Sequence, residues 1–101
     1  MNEVRFTLYI AGRTPRSLKA IANLQRIGDA NLGGRYQLQV IDVIENPEAA
    51  EQQRILTTPT LIKEAPLPAR RVTGDLTRST RVLSGLALDL HQTETSSGSA
   101  S

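Results

Sequence analysis

A strand, a helix and a second strand follow one another over residues 3–44, and no other feature constrains the fold of this chain as strongly. Residues 3–11 alternate, with Val4, Phe6, Leu8 and Ile10 on one side and Arg5, Thr7, Tyr9 and Ala11 on the other. A period of two predicts a strand with one strongly apolar face. Gly12-Arg13 makes a turn. Thr14-Pro15 then predicts a helix start, because threonine can cap free N–H groups and proline at the first helical position has no N–H to leave unpaired. Leu18, Ile21, Leu24 and Ile27, with Ala22 beside them, form an apolar stripe at helical spacing. Asn31 to Gly34 closes the helix with turn-forming residues. Residues 36–44 (YQLQVIDVI) open with alternation and finish almost continuously apolar, which predicts a second strand buried on both faces. Two strands joined through a helix lie parallel, with a right-handed crossover.

The second half repeats part of this grammar. Asn46-Pro47-Glu48 supplies a cap, a proline and an acid near the positive end of a helix dipole, so a short helix is expected to about Arg54. Thr58-Pro59-Thr60-Leu61-Ile62 reads as a strand entered through a proline. Pro66-Leu67-Pro68 is a stiff connector that disfavours helix before each proline. Arg70-Arg71-Val72 suits an edge strand and Gly74-Asp75-Leu76 a turn. Thr77 is placed to cap a last helix carrying Val82, Leu83, Leu86 and Leu90. Residues 92–101 (QTETSSGSAS) hold no large apolar side chain to offset the entropy of ordering, so a loose polar tail is expected there. One domain over residues 1–91 is expected, with no internal repeat.

Composition narrows the chemistry. The chain of 101 residues has no cysteine, which excludes disulfides, thiolate nucleophiles and cysteine-held metal. Its single histidine, His91, borders the tail and excludes a histidine cluster within one chain. No apolar run approaches the roughly 20 residues a membrane span needs, and the start Met1-Asn2-Glu3-Val4 does not look like a signal peptide. A cytoplasmic protein with no membrane contact is the expectation. The formal net charge is +2, yet charge is unevenly spread. Residues 37–53 hold Asp42, Glu45, Glu48 and Glu51 and no base. Residues 54–81 hold Arg54, Lys63, Arg70, Arg71, Arg78 and Arg81 against Glu64 and Asp75. Arginine suits fixed pairing with carboxylate or phosphate. With Phe6, Tyr9 and Tyr36 the whole aromatic complement, stacking on nucleic acid is disfavoured.

Taken in order, the elements run βαβαββα. This is an α/β layout, that of the thioredoxin fold, with Thr58-Pro59-Thr60 where that fold places a cis proline. Redox-active members carry C-x-x-C between the first strand and helix. Here that stretch is Gly12-Arg13-Thr14-Pro15-Arg16-Ser17, and disulfide exchange has no thiolate to run on. Leu8-Tyr9-Ile10-Ala11-Gly12 with Thr14-Pro15, Val40-Ile41-Asp42-Val43 with Asn46-Pro47, and Ile55 to Leu61 carry a closer likeness. So do Pro66-Leu67-Pro68-Ala69-Arg70-Arg71 and Gly74-Asp75-Leu76. Together, over about residues 4–90, they resemble the KaiB family of bacterial clock proteins.

The resemblance implies a non-enzymatic timing subunit without a cofactor. Such proteins bind the N-terminal ATPase ring of KaiC, capture KaiA and displace a histidine kinase that has a KaiB-like domain. It also implies two folds for one chain: a resting homo-oligomer, tetramer or dimer, arranged βαββααβ, and a thioredoxin-like monomer that binds the ring. Two such packings coexist when they differ by a few kcal/mol. Pro59, Pro66, Pro68, Gly85 and Ala87 are the fold-switch candidates. Gly85 lies inside the expected last helix, where glycine costs about 1 kcal/mol relative to alanine, although close helix–sheet packing also calls for glycine. Ala87 stands where members often carry an acid, and Thr77-Arg78-Ser79-Thr80 lacks the acid of a capping box. The partner-binding candidates are Asp42, Arg54, Arg70 and Arg71. For Asp42, a salt bridge, a partner contact, a local cap and a solvated strand end are all open. For Arg54, Arg70 and Arg71, contact with an acidic protein surface competes with a solvated edge. Tyr9 and Phe6 read as core. The alternative function is a stand-alone thioredoxin-like sensor or scaffold in a two-component or stress-response pathway.

Overall fold

The computed structural model describes residues 3–74 together with Leu76, Thr77, Val82, Gly85 and Leu86. It runs β1 (Val4–Ile10), α1 (Pro15–Leu32), β2 (Tyr36–Asp42), α2 (Pro47–Gln53), β3 (Thr60–Ala65) and β4 (Arg70–Thr73). The strands form one mixed sheet in the order β2-β1-β3-β4. β1 pairs parallel with β2, from Val4 opposite Tyr36 to Ile10 opposite Asp42. It pairs antiparallel with β3, which in turn pairs antiparallel with β4. The Leu86 N–H donates to the Val82 carbonyl at 3.0 Å, a helical turn where the last helix is expected. Leu83, Leu90, His91, Ala87 and the polar tail lie outside the described residues.

Being central, β1 is covered on both sides. Val4, Phe6, Leu8 and Ile10 enter the main core with Leu24, Ile27, Leu61, Val82 and Leu86. Thr7 and Tyr9, expected on the weaker face, are buried as well. The crossover helix starts as its sequence demands: Thr14 accepts from the Ser17 N–H at 3.1 Å, Pro15 follows, and Gly33 ends the helix in the left-handed region. Its buried face differs from the expected stripe. Leu24 and Ile27 are buried, but Ser17, Ala20 and Gly28 join them, while Leu18 is 47% exposed and Ala22 is exposed. Small residues face the sheet because the approach is close. A methyl on Gly28 would overlap the Tyr36 ring, whose Cζ would lie 2.7 Å away. That ring packs edge-on against Phe6, with centroids 5.9 Å apart.

β2 is a second correction. It is an edge strand, half-buried to exposed, and it stops at Asp42 instead of reaching Ile44. The Asp42 carboxylate accepts from the Ile44 N–H at 3.0 Å and turns the chain there. Asn46 does not cap α2 as expected. Its amide donates to the Asp42 carbonyl at 3.2 Å. The peptide bond before Pro59 is cis, as are those before Pro66 and Pro68. β3 is the most buried of the later elements, with Thr60 to Lys63 all covered, and β4 is an edge strand as expected.

Candidate partner-binding surface

The connection from β1 to α1 occupies the place where a thioredoxin-like fold does its chemistry. Tyr9 pairs with Thr60, so Pro59 enters the sheet at the end of β1 that leads into this connection. The side chains here are committed to structure. Thr14 caps α1 and donates to the Ser17 hydroxyl at 3.1 Å, and Ser17 is buried. Neither hydroxyl has a base beside it among the contacts described, and a nucleophile needs one.

Asp42 fastens this connection to β2. Its Oδ1 accepts from the Gly12 N–H at 3.0 Å and from the Ile44 N–H at the same distance. Of the roles open to it, the local cap is the one the structure displays. Arg54 closes α2 in the left-handed region at φ 54°. Arg71, from β4, donates Nη2 to the Gln53 carbonyl at 3.0 Å and Nη1 to the Arg54 carbonyl at 3.3 Å. Arg54 and Arg71 therefore meet at one end of α2, while Asp42 stands at the other. Arg70 is exposed and sits opposite Lys63 in the ladder. Gly85 lies against β4, where an added Cβ would be 2.8 Å from Val72 Cγ2.

The far face of the sheet carries a small charged group around Tyr9. Burial raises the Tyr9 phenol above its usual pKa, the Glu64 carboxylate raises it further, and the Arg71 cation opposes both. On the core face, burial and then the Arg70 cation lower the Lys63 ammonium. Burial, with Asp29, raises Tyr36.

The surface with most to offer a partner surrounds α2. An open cleft of about 780 Å³ is lined by Pro47, Ala50, Ile55 and Leu56, with Glu48, Glu51 and Arg54 along it. Leu56 is 95% exposed, and Ile44, in the turn after β2 and beside Gly12, is 68% exposed. Large apolar side chains held in water beside carboxylates mark an interaction face more than a packing defect. Neither residue was singled out from sequence. Ile55-Leu56 reads as the approach to the third strand and Ile44 as the last residue of the second; the signal available is an apolar pair in a connection too short for any periodicity. A second feature is the free edge of β2. It has seven residues (YQLQVID), no lysine and no proline, so it lacks the usual guards against pairing with another strand.

Comparison with known proteins adds the following. Residues 7–88 match the family model described as the KaiB domain. The chain is 46% identical over 86 residues to the circadian clock protein KaiB3 of Synechocystis sp., covering 85% of this chain and 84% of that protein. It is 51% identical over 81 residues to the circadian clock oscillator protein KaiB of Synechococcus elongatus, covering 80% and 79%. Among solved structures, the N-terminal domain of Synechococcus elongatus SasA superposes with a TM-score of 0.72 at 25% identity, covering 88% of each chain. Chloroplastic thioredoxin z superposes with a TM-score of 0.64 at 22% identity over 86% of this chain and 80% of its own, a likeness of fold alone.

Proposed function

Because this chain belongs to the KaiB family, we propose that it is a timing subunit that acts by binding, docking on the N-terminal ATPase ring of a KaiC-type protein through the face around α2. The observation that carries this reading is the exposed apolar and acidic surface of that helix, set on a thioredoxin-like sheet whose redox position holds no thiol. Burying one leucine side chain is worth about 1.5–3 kcal/mol, so Leu56 alone can contribute much of a docking energy. Glu45, Glu48 and Glu51 would steer the face toward a basic patch on the ring and fix its orientation.

The free edge of β2 is the place we assign to a second partner of the KaiA type, taken as an added strand. The likeness to the SasA N-terminal domain supports a further part of the reading, that this chain and a kinase bearing such a domain compete for one site on the ring. The resting state we propose is a homo-oligomer with the second half rearranged to βαββααβ, held in the cytoplasm, from which the thioredoxin-like monomer is drawn by binding.

Mixing the purified protein with a KaiC-type ATPase and ATP, and following it for hours by size-exclusion chromatography with light scattering, tests this. A complex that accumulates slowly while the free protein runs larger than a monomer is the expected result. Absence of any complex, with the free protein already monomeric, would move the function to a scaffold outside the clock.

A further inference from the structure

α2 is weakly anchored. Its seven residues fall short of the roughly 12–15 that an isolated helix needs to hold itself in water. None of them is buried, and Ala49 and Ala50 are merely half covered. Asn46 makes no side-chain bond to the first turn.

Its C-terminus is held differently. The backbone turns left-handed at Arg54, and the Ile55 N–H returns to the Ala50 carbonyl at 2.9 Å. Two carbonyls beyond the reach of these bonds, those of Gln53 and Arg54, receive the guanidinium of Arg71. A cation there meets the negative end of the helix dipole. A planar fork that makes two bonds at once also fixes position. Arg71 reaches this place because β4 pairs with β3 in the register that sets it opposite Ile62. A slip of one residue in that ladder would send its side chain to the other face of the sheet.

We propose that Arg71 is a clamp that makes the docking face of α2 conditional on β4 being paired in this register. It is a positioning residue and does not itself contact the partner. The proposal rests on the reading of α2 as the binding face, but its first test does not need a partner. Arg70, adjacent and exposed, makes no contact with α2 among the described bonds and serves as the control.

The experiment is amide exchange by NMR on the full-length chain isolated as the thioredoxin-like monomer, identified by its β3–β4 cross-strand contacts, comparing Arg71→Ala, Arg71→Lys, Arg70→Ala and the double variant Arg71→Ala/Arg54→Gly. Losing two solvent-touched, charge-assisted bonds should speed exchange at the C-terminal amides of α2 by about tenfold. Resonances of β1 and β2 should stay in place. Lysine, a point charge without the fork, should give an intermediate rate, and Arg70→Ala none of the effect. Glycine at position 54 adopts a positive φ without a Cβ penalty, so the double variant should recover part of the protection. If Arg71→Ala disturbs the whole sheet, Arg71→Lys carries the comparison.

Unchanged α2 exchange in both Arg71 variants would overturn the clamp. Ring binding is read second. Weaker binding by Arg71→Ala with unaltered α2 exchange would make Arg71 a direct contact and also overturn it. Faster α2 exchange in the variant, with no ring binding even by the natural chain, would leave the clamp standing and remove the proposed function instead.

Discussion

Lys63 is 1% exposed and faces the core side of the sheet beside Leu61, between Phe6 on β1 and Arg70 on β4. Burial, aided by Arg70, depresses its pKa from the ordinary 10.5. A lysine with a lowered folded pKa binds fewer protons in the native state than in the unfolded chain. Its cost is in full force below the folded pKa and fades as pH rises toward 10.5. Lys63→Met should therefore be more stable than the natural chain in urea at pH 7, and the gap should narrow as pH rises through the lowered folded pKa toward 10.5. Taking the difference between the two proteins removes Tyr9 and Tyr36, whose raised pKa values work against folding at still higher pH and are common to both. A gap that stayed constant with pH would mean Lys63 is as well solvated folded as unfolded. Nothing in the sequence flags this residue. The strand expected over Thr58 to Ile62 stops one residue short of the lysine, which is buried only because β1 and β4 flank it. Gly28 is similar: its role depends on a tyrosine eight residues away, across a turn.

At the scale of elements, the terminal signals of α1 were legible, while the Asn46 cap, the end of β2 and the buried faces were not. Thr14-Pro15 and Gly33 bound α1 because caps act through neighbouring backbone groups, a local matter. The burial of Ser17, Ala20 and Gly28 in place of Leu18 and Ala22 was decided by how closely α1 lies on the sheet, which hydropathy does not encode. β2 misled for a related reason. Its apolar end resembles a central strand, but its position in the order β2-β1-β3-β4 puts it at the edge. Gly85 belongs to the same scale, since its contact is between the last helical turn and β4. Alanine there would gain up to about 1 kcal/mol of helix propensity, set against a methyl 2.8 Å from Val72 Cγ2. Gly85→Ala should therefore stabilise more on a Val72→Ala background than in the natural chain, with a coupling of about 0.5–1 kcal/mol in a double-mutant cycle read by urea unfolding. Additive effects would place the two residues out of contact.

For the whole molecule, the fold and the proposed binding face are separable. Leu56 is 95% exposed and takes no part in the core cluster. Leu56→Asp should leave the unfolding free energy within about 0.5 kcal/mol of the natural protein. Binding to a KaiC-type ring should weaken by tenfold or more, the loss of about 1.4 kcal/mol or greater in apolar burial. A large drop in that free energy would make Leu56 a structural residue. By itself, the sequence determined the element order from β1 to β4, the caps of α1, the proline-entered third strand, the absence of thiol chemistry and the family likeness. All of these are written in residue identity and short-range spacing. The tertiary structure decided which strand lies at the edge, which helix face is covered, that Asp42 Oδ1 accepts from Gly12 and Ile44, and that Arg71 donates to the Gln53 and Arg54 carbonyls. These depend on which distant segments become neighbours once the chain has crossed over, and pairwise contacts across a sheet leave no period in the sequence to read.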